Sequence, residues 1–463
     1  MYKDTPIIHY KDMEEPKQLP NSGYQYVSLE NNSNYPTLSL AIQGGAQLVE
    51  SLEEYFTSRV YHHIFSRQSK KYNIEQTKEV QSLTMVETYR GEDMSFFSMY
   101  GFKREVLPKL VDYLAASVYD PVFDEKDIDE VIDGVLSMDQ ALNSDPTMLL
   151  NDLILFAGWG NQIYTPYSVY QQDYEKVLEN FYVTEQDLQA YHKKTMANDG
   201  IILGTGLNSN FFDMLVNNTF SNFEVEAAQL SKHHELLRKP LKFTPQDVEV
   251  QTPDLGNNTL NSYSLVFDSV PYTNKRDVVR VNILCSLLGN ASLFMAGGPG
   301  KGISAIIPSE YVSRNPLQMM NSDIQILNNG GVFSITAQAL SHDQNENRVL
   351  PAVIFSLLQN FKSHCTQEAL DAARNRYLFS YFSSCENASL YAQSLASSYL
   401  TYDRFLTFDE IKEEAYKVTP EDLCEMWYKL LQQEPGVVRI GDTTKLPSKE
   451  FVDTAIGIIR ERF

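Results

Sequence analysis

Three short segments of this 463-residue chain recur in the same order at a nearly constant spacing. Val106-Leu107-Pro108 returns as Val349-Leu350-Pro351, each time after an alternating stretch that reads as a strand (95–102 and 332–339) and at the opening of a helix. Val183-Thr184-Glu185-Gln186-Asp187-Leu188 returns as Val418-Thr419-Pro420-Glu421-Asp422-Leu423, and Gly200-Ile201-Ile202-Leu203 as Gly436-Val437-Val438-Arg439. A chain of this length is too large for one ordinary core. The repetition fixes how it divides: the molecule is a duplicated unit, each copy with its own hydrophobic interior.

Within the first copy, 25–29 and 37–43 alternate as strands around the polar turn 31–36, and 53–65 has helical spacing. Residues 77–88 and 94–102 read as strands again. Helices follow at 107–118, 126–143 (strongly acidic), 146–156 and 185–195, and the copy closes on the apolar strand 200–206. Strands, then helices, then a closing strand make an α+β unit. The chain therefore reads as an irregular lead-in (1–22), an N-terminal domain (23–228), a linker (229–255) and a C-terminal domain (256–463). The linker assignment rests on Pro240, Pro245 and the cations Lys232, Arg238, Lys239 and Lys242. His233 and His234 in it have no acidic or Cys partner at ligand spacing and read as a solvated pair.

After the helix 277–288 comes L-G-N-A-S-L-F-M-A-G-G-P-G-K-G-I-S, with Gly289, Gly297, Gly298, Gly300, Gly302 and Pro299 in close succession. No regular element runs through its second half. Gly300-Lys301 is followed by Gly302 rather than Ser or Thr, so it is no Walker A loop, and G-x-G-x-G is not the dinucleotide fingerprint. A long glycine loop anchored by apolar flanks, carrying the single cation Lys301, has the character of a functional loop.

A net charge of −22 argues against nucleic acid and favours basic partners. The four cysteines, Cys285, Cys365, Cys385 and Cys424, form no CxxC pair and read as reduced core thiols. No stretch approaches a membrane span, and residues 1–20 resemble neither a secretory signal nor an Arg-rich transit peptide.

With A-G-G-P-G-K-G after the first helix of its second half, Glu87-Thr88-Tyr89-Arg90-Gly91-Glu92 after the first helices, and Gly330-Gly331-Val332-Phe333-Ser334-Ile335 at a later strand, the chain resembles the pitrilysin-like zinc peptidase family, the inverzincins, over nearly its whole length. The resemblance implies two sandwich-like halves, each a mostly antiparallel sheet covered by helices, in the LuxS-type metallohydrolase fold. The family's chemistry needs H-x-x-E-H on a helix: two imidazoles for zinc, a glutamate to activate its water, and a third carboxylate ligand from a later helix. This sequence contains no such motif. Laid on the family pattern, Ser58 and His62 fall at the histidine positions, Tyr61 at the base, and Met138 at or beside the third ligand. A tyrosine with a pKa near 10 does not replace the glutamate.

The implied role is that of the catalytically inactive α-type partner in the family's processing-peptidase branch. It has no catalytic residue and no cofactor of its own, and it pairs with a zinc-bearing β-type subunit of the same family. The loop residues Gly297, Gly298, Pro299, Gly300, Lys301 and Gly302 would hold basic presequence peptides in the mitochondrial matrix. The acidic helix with Asp124, Glu125, Asp127, Asp129, Glu130 and Asp133 is a second candidate contact, against an ordinary solvated face. The alternative, from the same family, is a core scaffold subunit of ubiquinol:cytochrome c reductase, contacting other subunits of that complex on the matrix side of the inner membrane. The two roles are compatible in one protein.

Overall fold

The computed structural model describes residues 15–19, 24–29, 36–144, 149–165, 182–220, 239–251, 260–289, 317–340, 349–443 and 446–461. The recurring segments turn out to be local instructions. Thr184 caps the helix α6 (Glu185–Met196) by a capping box with Asp187, and Thr419 caps α13 (Pro420–Leu431) by the same box with Asp422. Val183 and Leu188, like Val418 and Leu423, are buried on either side of their caps as a hydrophobic staple. Pro108 and Pro351 fall in the first turns of α3 (Leu107–Tyr119) and α9 (Val349–His364), where a missing N–H costs nothing.

The first sheet runs β1 (Lys17–Gln18), β2 (Tyr24–Leu29), β6 (Gly200–Thr205), β3 (Thr37–Gln43), β5 (Met94–Tyr100), β4 (Met85–Arg90). The second runs β7 (Asp247–Gln251), β11 (Gly436–Gly441), β8 (Leu260–Ser269), β10 (Gly330–Leu340), β9 (Leu317–Leu327). Apart from the short β1, the second order repeats the first strand for strand. Even the parallel pair is kept, β2 with β6 and β7 with β11, in otherwise antiparallel sheets. This is the α+β, two-half pitrilysin-like architecture.

Each sheet is covered on both faces. In the first, Tyr24, Tyr26, Leu38, Leu40 and Ile42 point into a core completed by α1 (Leu52–Ile64), α3, α6 and α7 (Ser209–Phe220). The alternate residues Val27, Leu29, Ala41, Phe96, Ile201 and Leu203 meet Tyr391, Ala392, Leu395 and Ala396 of α11 (Ala388–Tyr402). Ser39 and Ser98, hydrogen-bonded at 2.8 Å, keep this side low.

The second sheet is covered in the same way by α5 (Leu150–Trp159), which packs on β11, β8 and β10. Here closeness depends on glycine. A Cβ on Gly436 would stand 2.4 Å from the Ala157 carbonyl oxygen, and one on Gly158 2.6 Å from Val332.

The covering helices are exchanged between the halves of the chain. Packing gathers 1–138, 174–239 and 383–406 into one compact unit, and 139–173, 240–382 and 407–463 into the other. Helix α5 from the first half thus belongs to the second unit, and α11 from the second half to the first. The units are not consecutive stretches, and the expected linker contains the strand β7.

One stretch departs outright from the sequence reading. Residues 77–81, read as the start of a strand, belong to the helix α2 (Ile74–Gln81), because Asn73 and Gln76 make a capping box that overrides the strand propensity of Thr77 and Val80. The thiols are also less uniformly buried than expected: Cys285 and Cys365 are buried, while Cys385 and Cys424 are partly exposed.

Candidate functional site

Ser58, Tyr61 and His62 share one face of α1, three and four residues apart, and all three are occupied. Ser51 starts the helix by accepting the Glu54 N–H at 3.2 Å. About two turns on, the buried Ser58 hydroxyl donates back to the Tyr55 carbonyl at 2.7 Å. His62 donates from Nδ1 to the Ser58 carbonyl at 2.7 Å, since a carbonyl can only accept, and its Nε2 accepts from Ser95 Oγ on β5 at 3.0 Å. Burial, followed by the positive charge of Arg90, drives its pKa down to about 3, against the opposing pull of the Ser58 bond.

Tyr61 reaches across to α6. Its hydroxyl donates to His192 Nδ1 at 2.9 Å, because His192 Nε2 already donates to the Val118 carbonyl of α3 at 2.8 Å. Burial lowers the His192 pKa to about 4 and, with Tyr24 and Tyr191, raises that of Tyr61 well above the ordinary phenol. The rings of Phe65, Phe123 and Tyr191 surround Tyr61 at 5.6, 6.2 and 5.2 Å. The residual space beside Tyr61, His62, Ser95 and Thr195 is about 20 Å³, room for one water.

The donor set does not fit zinc. Ser58 offers a neutral hydroxyl, both His62 nitrogens are engaged, and Tyr61 is held as a neutral phenol. The Arg90 guanidinium, stacked 5.5 Å over the Tyr55 ring, places a fixed cation in the neighbourhood of His62, where a dication would be repelled. Met138 on α4 (Glu125–Ser144) is 53 % exposed, unlike the buried Ser58 and Tyr61 and the half-buried His62. Among the described residues no group of three or more His, Cys, Asp or Glu side chains stands together.

Of the other candidates, Gly297, Gly298, Pro299, Gly300, Lys301 and Gly302 lie outside the described residues, as do His233 and His234. Gly289, at φ 120°, ends α8 (Lys275–Leu288) just before them. On the acidic helix, Asp127 is buried and accepts from Gln68 at 2.6 Å, and Glu130 pairs with Arg67 at 2.9 Å. Asp124, Glu125, Asp129 and Asp133 face solvent.

Sequence reasoning missed two members of the site, His192 and Arg90. His192 carries a local signal after all: the repeated cap places it at the position held in the second copy by Trp427. That indole also donates its ring N–H to a helix carbonyl, Leu358 O at 3.4 Å.

Sheets repeated strand for strand, with covering helices exchanged between the halves, define a two-half α+β chain of pitrilysin-like fold. No family model matches it. Its curated homologues are mitochondrial-processing peptidase α subunits. That of Caenorhabditis elegans is 22 % identical over 462 residues, covering 95 % of this chain and 87 % of the relative. A probable α-2 subunit of Arabidopsis thaliana, described as chloroplastic/mitochondrial, is 21 % identical over 358 residues, or 75 % of this chain and 66 % of the relative. The α-2 subunit of Dictyostelium discoideum is 25 % identical over 261 residues, 52 % and 56 % of the two chains. The chain thus spans about two-thirds of the plant relative's length.

Proposed function

We propose that this chain is the non-catalytic α-type subunit of a mitochondrial processing peptidase, which binds basic presequences and presents them to a zinc-bearing β-type subunit in the matrix. The observation that carries the reading is the combination of α-subunit homologues with a helix α1 whose ligand positions are taken up by internal hydrogen bonds. A chain that had merely lost one ligand would keep a vacancy. Here Ser58 and Tyr61 are buried and both His62 nitrogens are hydrogen-bonded within the chain, which supports the reading.

The charge balance supports the substrate class. At −22 the chain attracts a basic peptide over distances set by the Debye length, and Asp124 just before α4 with Glu125, Asp129 and Asp133 on it face solvent for such a contact. The glycine loop 297–302 is the proposed capturing element, and zinc belongs to the partner.

Reconstitution tests this. The chain is mixed with a β-type subunit of the family, and cleavage of a fluorogenic presequence peptide is followed. Cleavage is expected only with both chains present, rising as salt is lowered. Deleting residues 297–302 is expected to leave pairing intact and to reduce kcat/KM at least tenfold. Equal turnover with and without the chain would remove the proposal.

A further inference from the structure

Helices α9 and α13 meet in an antiparallel seam. At one end Phe361 stacks on Trp427 at 4.5 Å, and the Trp427 indole donates to Leu358 O at 3.4 Å. At the other end the Cys365 thiol, one residue past α9, donates to the carbonyl of Pro420, the first residue of α13, at 3.7 Å. Residue numbers rise along α9 as they fall along α13, so the register between the two ends is fixed. Cys424 lies one turn after Pro420, and helical side chains lean towards the N-terminus, which brings its sulfur back over the Pro420 carbonyl. Both thiols thus border the same carbonyl, Cys365 by its hydrogen bond and Cys424 from the next turn of α13. Cys365 is 7 % exposed, while Cys424 is partly open to solvent.

We propose that Cys365 and Cys424 form a redox pair, a modification site at which a small-molecule disulfide oxidises the two thiols to one intramolecular disulfide. The inference is independent of the peptidase reading. Cys424, the outer sulfur, loses its proton to solvent and attacks RS–SR, forming a mixed disulfide and releasing one RS⁻. The Cys365 sulfur then gives up its proton and attacks the Cys424 sulfur, expelling the second RS⁻. The thiolates pick up the two protons, so two protein thiols are oxidised and RSSR is reduced to two RSH. The order follows from access: burial, with Cys424 and Glu421 nearby, pushes the Cys365 thiol up to about 12, which suits a resolving sulfur better than an attacking one.

The seam selects this pair over the other two cysteines. Cys285 is buried beside Ser322 and Asp323, and Cys385 has Ser384 beside it. The pair also belongs to one copy alone: by the repeated cap, Gln189 stands at the position of Cys424 and is exposed. The duplicated framework is therefore built without the thiols.

The test uses the full chain, incubated natively with hydroxyethyl disulfide, alkylated, and mapped by mass spectrometry. Two of the four cysteines are expected to become reducible, both in one cross-linked peptide pair joining Cys365 to Cys424. The urea midpoint should shift upward, returning to its starting value with dithiothreitol. C365S should stop as a mixed disulfide on Cys424, and C424S should take up no hydroxyethylthio group on Cys365. If either variant fails to fold, the map of the unsubstituted chain still decides. A bridge between other cysteines, separate mixed disulfides on both, or no reaction would overturn the proposal.

Discussion

Ser95 Oγ and the Ser58 carbonyl together occupy both nitrogens of His62, and an acid titration reads the consequence. His62 and His192 are held neutral, with pKa values near 3 and 4, whereas an unfolded chain protonates both around 6.5. Between those values the unfolded state binds more protons. The stability due to neutral burial is therefore fully present above about pH 6.5 and is lost as pH falls towards 4. H62Q and H192Q should each flatten that limb by at most about 1.4 kcal/mol per pH unit. Urea midpoints from pH 7 to 4 measure it, and parallel curves for variant and parent would count against the neutral assignment. The same geometry predicts that one added imidazole does not rebuild a metal site. S58H should bind zinc far below stoichiometry by elemental analysis, because His62 stays bonded to Ser95 and Arg90 stays charged nearby.

Helix on sheet is where small residues decide the outcome. G436A puts a methyl group 2.4 Å from the Ala157 carbonyl oxygen, a backbone atom that cannot swing away, so a loss of about 1–3 kcal/mol is expected. G457A, mid-helix in α14 (Lys449–Arg460) with nothing within 4 Å, should gain up to about 1 kcal/mol. Opposite shifts of the urea midpoint in the two Gly→Ala variants separate packing from helix propensity. Elements such as these were legible in the sequence wherever the signal was local. The Thr-x-x-Asp caps, the helical spacing of Ser58, Tyr61 and His62, and the alternation of β2 and β3 each lie within a few residues. Helix α2 was hidden because Thr77 and Val80 outweighed Asn73, and β7 because neighbouring prolines and cations masked the alternation of Asp-Val-Glu-Val-Gln. Tyr61 and His192 are 131 residues apart, and no spacing rule reaches across that distance.

Exchange of α5 and α11 is the property of the whole molecule that no local pattern carries, since an apolar helix face does not say which sheet it covers. It has a thermodynamic consequence. A chain cut after residue 239 keeps every strand of the first sheet but lacks α11, leaving Val27, Leu29, Ala41, Phe96, Ile201 and Leu203 without their cover. Burying residues of this kind contributes roughly 1.5–3 kcal/mol each, comparable in sum to the entire net stability of a domain. The fragment 1–239 should therefore expose a dye-binding apolar face and aggregate, although a boundary at the end of the first repeat looks reasonable from sequence. Supplying residues 383–406 in trans as a peptide should restore solubility and a cooperative thermal transition. A peptide with Ala392 and Ala396 changed to Glu should not, because those positions lie against the sheet. Were fragment 1–239 to unfold cooperatively at the temperature of the full chain, the first half would be self-sufficient and α11 an accessory.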